Sequence, residues 1–121
     1  MASTKVVAAI WSSETFTAAS THADSGVQTL DDGYGAQLGI KITNGATGPT
    51  VPLSLQILVS QDNSEWYDYG GAIMGATGNS AISSWSISIP IGVEYLKISP
   101  SVNNTGQNVT VEADISEVTK L

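Results

Sequence analysis

Cysteine and arginine are both absent from the 121 residues, histidine occurs once, and only 12% of the residues are charged. Without thiols there are no disulfides, no zinc-thiolate sites and no thiol nucleophile, and stability has to come from packing. Without guanidinium groups the chain lacks the planar fork that grips phosphates in pairs. Eleven acids against four lysines give a formal charge of -7, which repels a polyanion, so nucleic acid is not expected as a partner. Long apolar runs are missing too. The stretch from Val6 to Trp11 is shorter than a signal peptide needs, and nothing later approaches the roughly 18 to 20 apolar residues that span a bilayer, so no membrane partner is expected. Carboxylates and hydroxyls are the reactive groups that remain, and the expectation is a protein that is not an enzyme and carries no cofactor.

What is present is period-two alternation. Trp85, Ile87, Ile89 and Ile91 alternate with Ser84, Ser86 and Ser88 in the run from Ala81 to Ile91, which puts apolar side chains on one face and hydroxyls on the other. Leu38, Ile40 and Ile42 repeat the pattern against Gly39, Lys41 and Thr43, and Leu53, Leu55, Ile57 and Val59 do so against Ser54, Gln56 and Ser60. Leu96 and Ile98, then Val109, Val111, Ala113 and Ile115, complete the series. Turn residues separate these runs at Asp31-Asp32-Gly33, Asn44-Gly45, Asp62-Asn63, Gly70-Gly71, Gly78-Asn79, Gly92 and Asn103-Asn104-Thr105-Gly106. No stretch of twelve residues carries a helical stripe.

The pattern predicts an all-β fold, an antiparallel β-sandwich of seven or eight strands with jelly-roll or Greek-key connections. A proline has no ladder donor, so Pro90 predicts that its strand lies at an edge or ends there. One domain is expected over residues 6–121, preceded by a flexible N-terminal arm at 1–5.

Four groups of residues could carry chemistry. Trp66, Tyr67 and Tyr69 form the densest aromatic cluster and could stack sugar rings; they could equally cap the core with their polar tips at its rim. Asp24 with Asp31-Asp32-Gly33 offers oxygens to calcium, but the spacing of a calcium loop is missing, so a plain turn and no metal is the reading. Glu112 and Asp114 point the same way from one strand, as a solvated face does; glycosidase pairs usually come from different elements. His22 has no nucleophile motif near it, and the Asn103 and Asn108 glycosylation patterns are expected by chance in a chain so rich in Asn and Thr.

The segment Val59-Ser60-Gln61-Asp62-Asn63-Ser64-Glu65-Trp66 resembles a strand-turn-strand unit of galactose-binding-like and discoidin sandwiches, and of small virion proteins of tailed bacteriophages. Three further segments resemble the phage group: Thr43 to Pro52, Glu94-Tyr95-Leu96-Lys97-Ile98, and Gly106 to Ala113. Together they cover about residues 15 to 118. Discoidin-like sugar sites usually offer Arg or His to the hydroxyls, and the missing arginine separates this chain from them.

The resemblance implies a capsid decoration protein on the outer surface of a phage head, bound to the major capsid protein as a homo-oligomer, in the family often a trimer. Ala2, Ser3, Thr4, Lys5, Val6 and Val7, together with exposed strand edges, are the expected capsid contacts, because an unpaired edge can extend a neighbour's sheet. A carbohydrate-binding module, or a phage tail or fibre component, using Trp66, Tyr67 and Tyr69 is the alternative.

Overall fold

The computed structural model of the chain describes residues 4–16, 23–30, 35–102 and 107–120. Nine strands and no helix are found among the described residues: β1 (Thr4–Phe16), β2 (Gln28–Thr29), β3 (Ala36–Asn44), β4 (Ser54–Ser60), β5 (Tyr67–Asp68), β6 (Ile73–Met74), β7 (Ile82–Ile89), β8 (Tyr95–Val102) and β9 (Val109–Lys120). All pairings are antiparallel. Sheet A has the order β1-β9-β3-β7, and sheet B the order β2-β8-β4-β5 with β6 also on β4.

The chain is one long ribbon. β1 pairs with β9, β2 with β8, β3 with β7, and β4 with both β5 and β6. The ribbon is rolled so that β3 also meets β9 and β4 also meets β8. With β5 and β6 as two pieces of one interrupted strand, this is the eight-stranded jelly roll.

The alternation decides which faces meet. Leu38, Ile40, Ile42, Val111, Ala113 and Ile115 from sheet A and Leu55, Ile57, Leu96 and Ile98 from sheet B are buried in one cluster, closed by Phe16, Leu30 and Leu53. Burying each of the larger of these side chains stabilises the fold by roughly 1.5–3 kcal/mol. Their sequence neighbours Gln37, Lys41, Glu112 and Asp114 face water.

Two readings of the sequence change in the structure. The strand expected from Ala81 to Ile91 stops at Ile89, immediately before Pro90. Ile91 is therefore 71% exposed instead of continuing the apolar face; proline can neither donate to the ladder nor extend the strand, and β7 is also the edge of its sheet, as the proline predicts. Thr4 and Lys5 belong to β1, opposite Lys120 and Val118, while residues 1–3 lie outside the described residues. Finally, β1 itself adds a long strand over Val6 to Trp11, where no alternation is visible.

Candidate functional site

The turn after β4 is built by two side chains. Ser60 Oγ accepts from the Asp62 and Asn63 amides at 3.3 and 2.9 Å, and Asp62 Oδ1 accepts from the Ser64 and Glu65 amides, both at 2.9 Å. Asn63 takes a left-handed conformation with φ 60°, which Asn tolerates better than most residues. The Glu65 and Ser64 amides hold the Asp62 carboxyl below its ordinary value. The Ser-x-Asp-Asn motif thus acts locally, closing the turn that delivers Trp66.

Beyond the turn the aromatic cluster separates. The Lys97 ammonium sits 4.5 Å from the centre of the Trp66 ring, where a ring face attracts a cation. Lys97 is itself held 3.1 Å from Asp24 Oδ2, and the Ser99 hydroxyl donates to Asp24 Oδ1 at 2.6 Å. Tyr69 packs against the core on the opposite side of its strand, and its hydroxyl donates to the Ser88 carbonyl of β7 at 2.7 Å. Tyr67 shares the Tyr69 side by alternation and is 57% exposed. Trp66 stands apart from the two tyrosines, so the three rings do not form one stacking surface.

The wet face of sheet A carries an open groove of roughly 510 Å³, lined among others by Trp11, Gly39, Lys41, Ser84, Glu112 and Asp114. Lys41 lies 3.9 Å from Glu112, with both side chains about half exposed, a pair worth at most about 1 kcal/mol. The Asp114 carboxylate folds over Gly39, where a Cβ would lie 2.7 Å from Oδ1. Glu112 and Asp114 do share one face, as their spacing predicts, and both are exposed there. Among the described residues no three metal-ligating side chains come together. His22, Asp31-Asp32-Gly33 and Asn103 lie outside the described residues.

The edges of the sandwich differ in their protection. Sheet B ends on strands of two residues, β2 on one side and β5 and β6 on the other. β1 has shifted register at Thr4/Lys5, Ala9/Trp11 and Trp11/Glu14 and includes two charged residues, Lys5 and Glu14. Short strands, bulges and charges are the usual devices that keep an edge from pairing with another chain. β7 has none of them. It pairs with β3 residue for residue from Ile82 to Ile89 without a shift, and it contains no charged residue, glycine or proline. No charged residue stands anywhere between Asp68 and Glu94, and that interruption in the charge pattern is the sequence signal that could have singled out this edge.

Which backbone groups of β7 are open follows from two hydrogen bonds. The Asn44 amide donates to the Ala81 carbonyl at 2.9 Å, so odd-numbered residues turn their amides and carbonyls toward β3. Even-numbered ones turn away, as the Ser88 carbonyl does in meeting Tyr69. The amides and carbonyls of Ile82, Ser84 and Ser86 therefore point off the sheet. Trp85 and Ile87, on the core side of this edge, are only half-buried.

No family model and no curated protein matches the chain. Among solved structures it is similar to the K3 cleaved adhesin domain of Lys-gingipain from Porphyromonas gingivalis W83, with a TM-score of 0.56 and 9% identity over 87% of this chain and 72% of that one. It is also similar to the Bacillus endospore appendages that form disulfide-linked pili, with a TM-score of 0.51 and 18% identity over 98% of this chain and 91% of that one. At such identities the likeness is one of fold. The 121 residues include no cysteine with which to form such a link.

Proposed function

We propose that this chain is a non-catalytic structural module that joins protein surfaces in an assembly, specifically a capsid decoration protein that binds the major capsid protein on the outside of a phage head. The observation that carries the reading is the unprotected, charge-free β7 edge on a sandwich whose other edges are short or bulged. A monomer that worked alone would need such an edge guarded against aggregation.

The jelly-roll fold does not discriminate, since it serves capsid and lectin domains alike. The alternative carbohydrate-binding reading has Trp66 without the tyrosines, beneath a lysine already held by Asp24. As a decoration protein each copy would contact two or more capsid subunits, and many modest interfaces would add to the stability of the shell. Residues 2–7 and the β1 edge are the parts assigned to the capsid in this reading: β9 is the one strand paired with β1 among the described residues.

The test is to strip heads of the particle that carries this protein, add it back, and measure co-sedimentation and the temperature at which the heads release DNA. Saturable binding with a raised release temperature is expected, both reduced by deleting residues 2–7. Absent co-sedimentation, together with sugar binding that disappears in Trp66→Ala, would establish the lectin alternative.

A further inference from the structure

We infer that the β7 edge is the site at which two copies of this chain pair, antiparallel across a twofold axis, joining their A sheets into one. The inference rests on the proposed structural role and names its first partner, a second copy, with twofold instead of threefold symmetry at this edge.

The partner is argued from the strand itself. An isologous contact requires a surface complementary to itself under a half-turn. The run Ile82-Ser83-Ser84-Trp85-Ser86-Ile87-Ser88 meets that condition about Trp85. Antiparallel pairing centred there sets Ser84 opposite Ser86 of the second copy and Ile82 opposite its Ser88. These even-numbered residues are the ones whose amides and carbonyls point off the sheet, so they form the hydrogen-bonded pairs.

The same register sets Trp85 against its own symmetry mate, and Ser83 against Ile87, on the core side. Trp85 and Ile87 are half-buried in the single chain because the sheet ends beside them; a second β7 would cover them with an indole and an isoleucine. On the outer face Ser84 and Ser86 set hydroxyl against hydroxyl, and Ile82 lies opposite the Ser88 hydroxyl. A shift by one residue would set paired backbone groups against unpaired ones, which restricts the register to even steps.

Charge restricts where a second copy can dock. Each chain carries a formal charge of -7, so two copies repel at long range, and the place where they can approach most closely is the one long edge strand that carries no charge among the described residues. A basic partner would be drawn instead to the acidic faces. The Gln37 side chain prepares the edge: its Nε2 donates to Ser86 Oγ at 2.7 Å and its Oε1 accepts from Ser88 Oγ at 3.0 Å, fixing the outward hydroxyls. Tyr69 already donates to the Ser88 carbonyl, so at each end the Ile82–Ser88 pair shares that oxygen, which has two lone pairs, and the two Ser84–Ser86 pairs form the centre of the contact.

The experiment is sedimentation velocity of the purified chain over a wide concentration range, with two variants. The wild type is expected to move from 12.5 kDa toward twice that mass as concentration rises. Ser84→Pro removes an amide that has no partner among the described residues, and Ser84→Lys adds a charge; both are expected to stay at the single-chain mass while keeping the wild-type far-ultraviolet spectrum.

A monomeric wild type at all concentrations, or folded variants that dimerise as it does, would overturn the inference. Should both variants unfold, cross-linking decides, because the native sequence has no cysteine to interfere. Ser84→Cys mixed with Ser86→Cys should give a disulfide-linked dimer much faster than either alone, and equal rates would refute the register. The result is independent of the head-binding assay. A dimer that ignores heads defeats the decoration reading alone, and a monomer that coats heads defeats this inference alone.

Discussion

Sheet A ends on β1 at one side and on β7 at the other, and the two strands are held in different ways. β1 is anchored at its end. Phe16 is fully buried and meets Trp11 edge-on, with ring centres 5.3 Å apart and planes at 81°, while Val7, Ala8 and Ala9 are exposed, Val7 at 69%. β7 is held along its whole length by an unbroken register with β3, by Gln37 on its wet face and by Tyr69 at its end. An edge with shifted register discourages imitation by another strand; a regular edge presents a template. The same sheet thus presents one irregular edge and one regular, neutral edge.

Proline separates the inward and outward positions of β7 most sharply. Trp85→Pro removes a bond to β3 and the packed indole, and is expected to be the largest loss of stability on this strand. Ser84→Pro, one residue away, loses no ladder bond and should cost well under half of that in urea unfolding. Equal losses would mean that the outward assignment of the even residues is wrong. For β1 the corresponding test is its anchor: Phe16→Ala is expected to cost about 3–5 kcal/mol, with amide exchange accelerated along β1 before β7.

Tyr69→Phe should lower stability by about 0.5–1.5 kcal/mol, the worth of one hydrogen bond, and should leave the Ser88 carbonyl wholly to the edge. Salt tests the neutrality of the contact. Dimerisation is expected to strengthen between low and physiological ionic strength as the repulsion between two acidic chains is screened; a contact made of ion pairs would weaken.

Acid should act on sheet B and spare the β7 edge. The Ser99 hydroxyl, followed by Lys97, holds the Asp24 carboxyl below its ordinary 3.8. A depressed value means that the contribution is complete above the unfolded-state value and is lost as pH falls through the folded one. Thermal midpoints should therefore drop slightly from about pH 5 downward, and Asp24→Asn should flatten that slope. The effect is small because the pair is largely solvated.

The core was legible wherever one face of a strand meets the other sheet and one meets water. The apolar residues of Leu38 to Ile42, Leu53 to Ile57, Leu96 to Ile98 and Val109 to Ile115 alternate in sequence and are buried in the structure as their period predicts, but on β4 Ser54 and Ser60, expected on the wet face, are buried as well. β1 was hidden because its register shifts break the period and because Val7, Ala8 and Ala9 are all exposed on an edge, leaving no contrast between faces. Ile82 misleads for a related reason. It occupies an outward position of β7 and is 61% exposed; hydrophobicity alone does not reveal which side it faces.

At the candidate site, composition announced a neutral surface but not which strand would be free. Strand order is a long-range property: among the described residues β7 pairs with β3 alone, while β9 and β1 take the other side of the sheet. The aromatic run shows the same limit. Adjacent residues in an extended strand point to opposite faces, so proximity in sequence was the reason that Trp66 and Tyr69 were grouped, and alternation is the reason that they separate.

Amide hydrogen exchange along β7, read residue by residue by NMR in dilute and concentrated solution, tests the account most directly. In dilute solution Ser83, Trp85 and Ile87 should be protected by β3 while Ser84 and Ser86 exchange freely, and at high concentration Ser84 and Ser86 should become protected too. Uniform protection in dilute solution, or Ser84 and Ser86 amides that stay fast at every concentration, would contradict it.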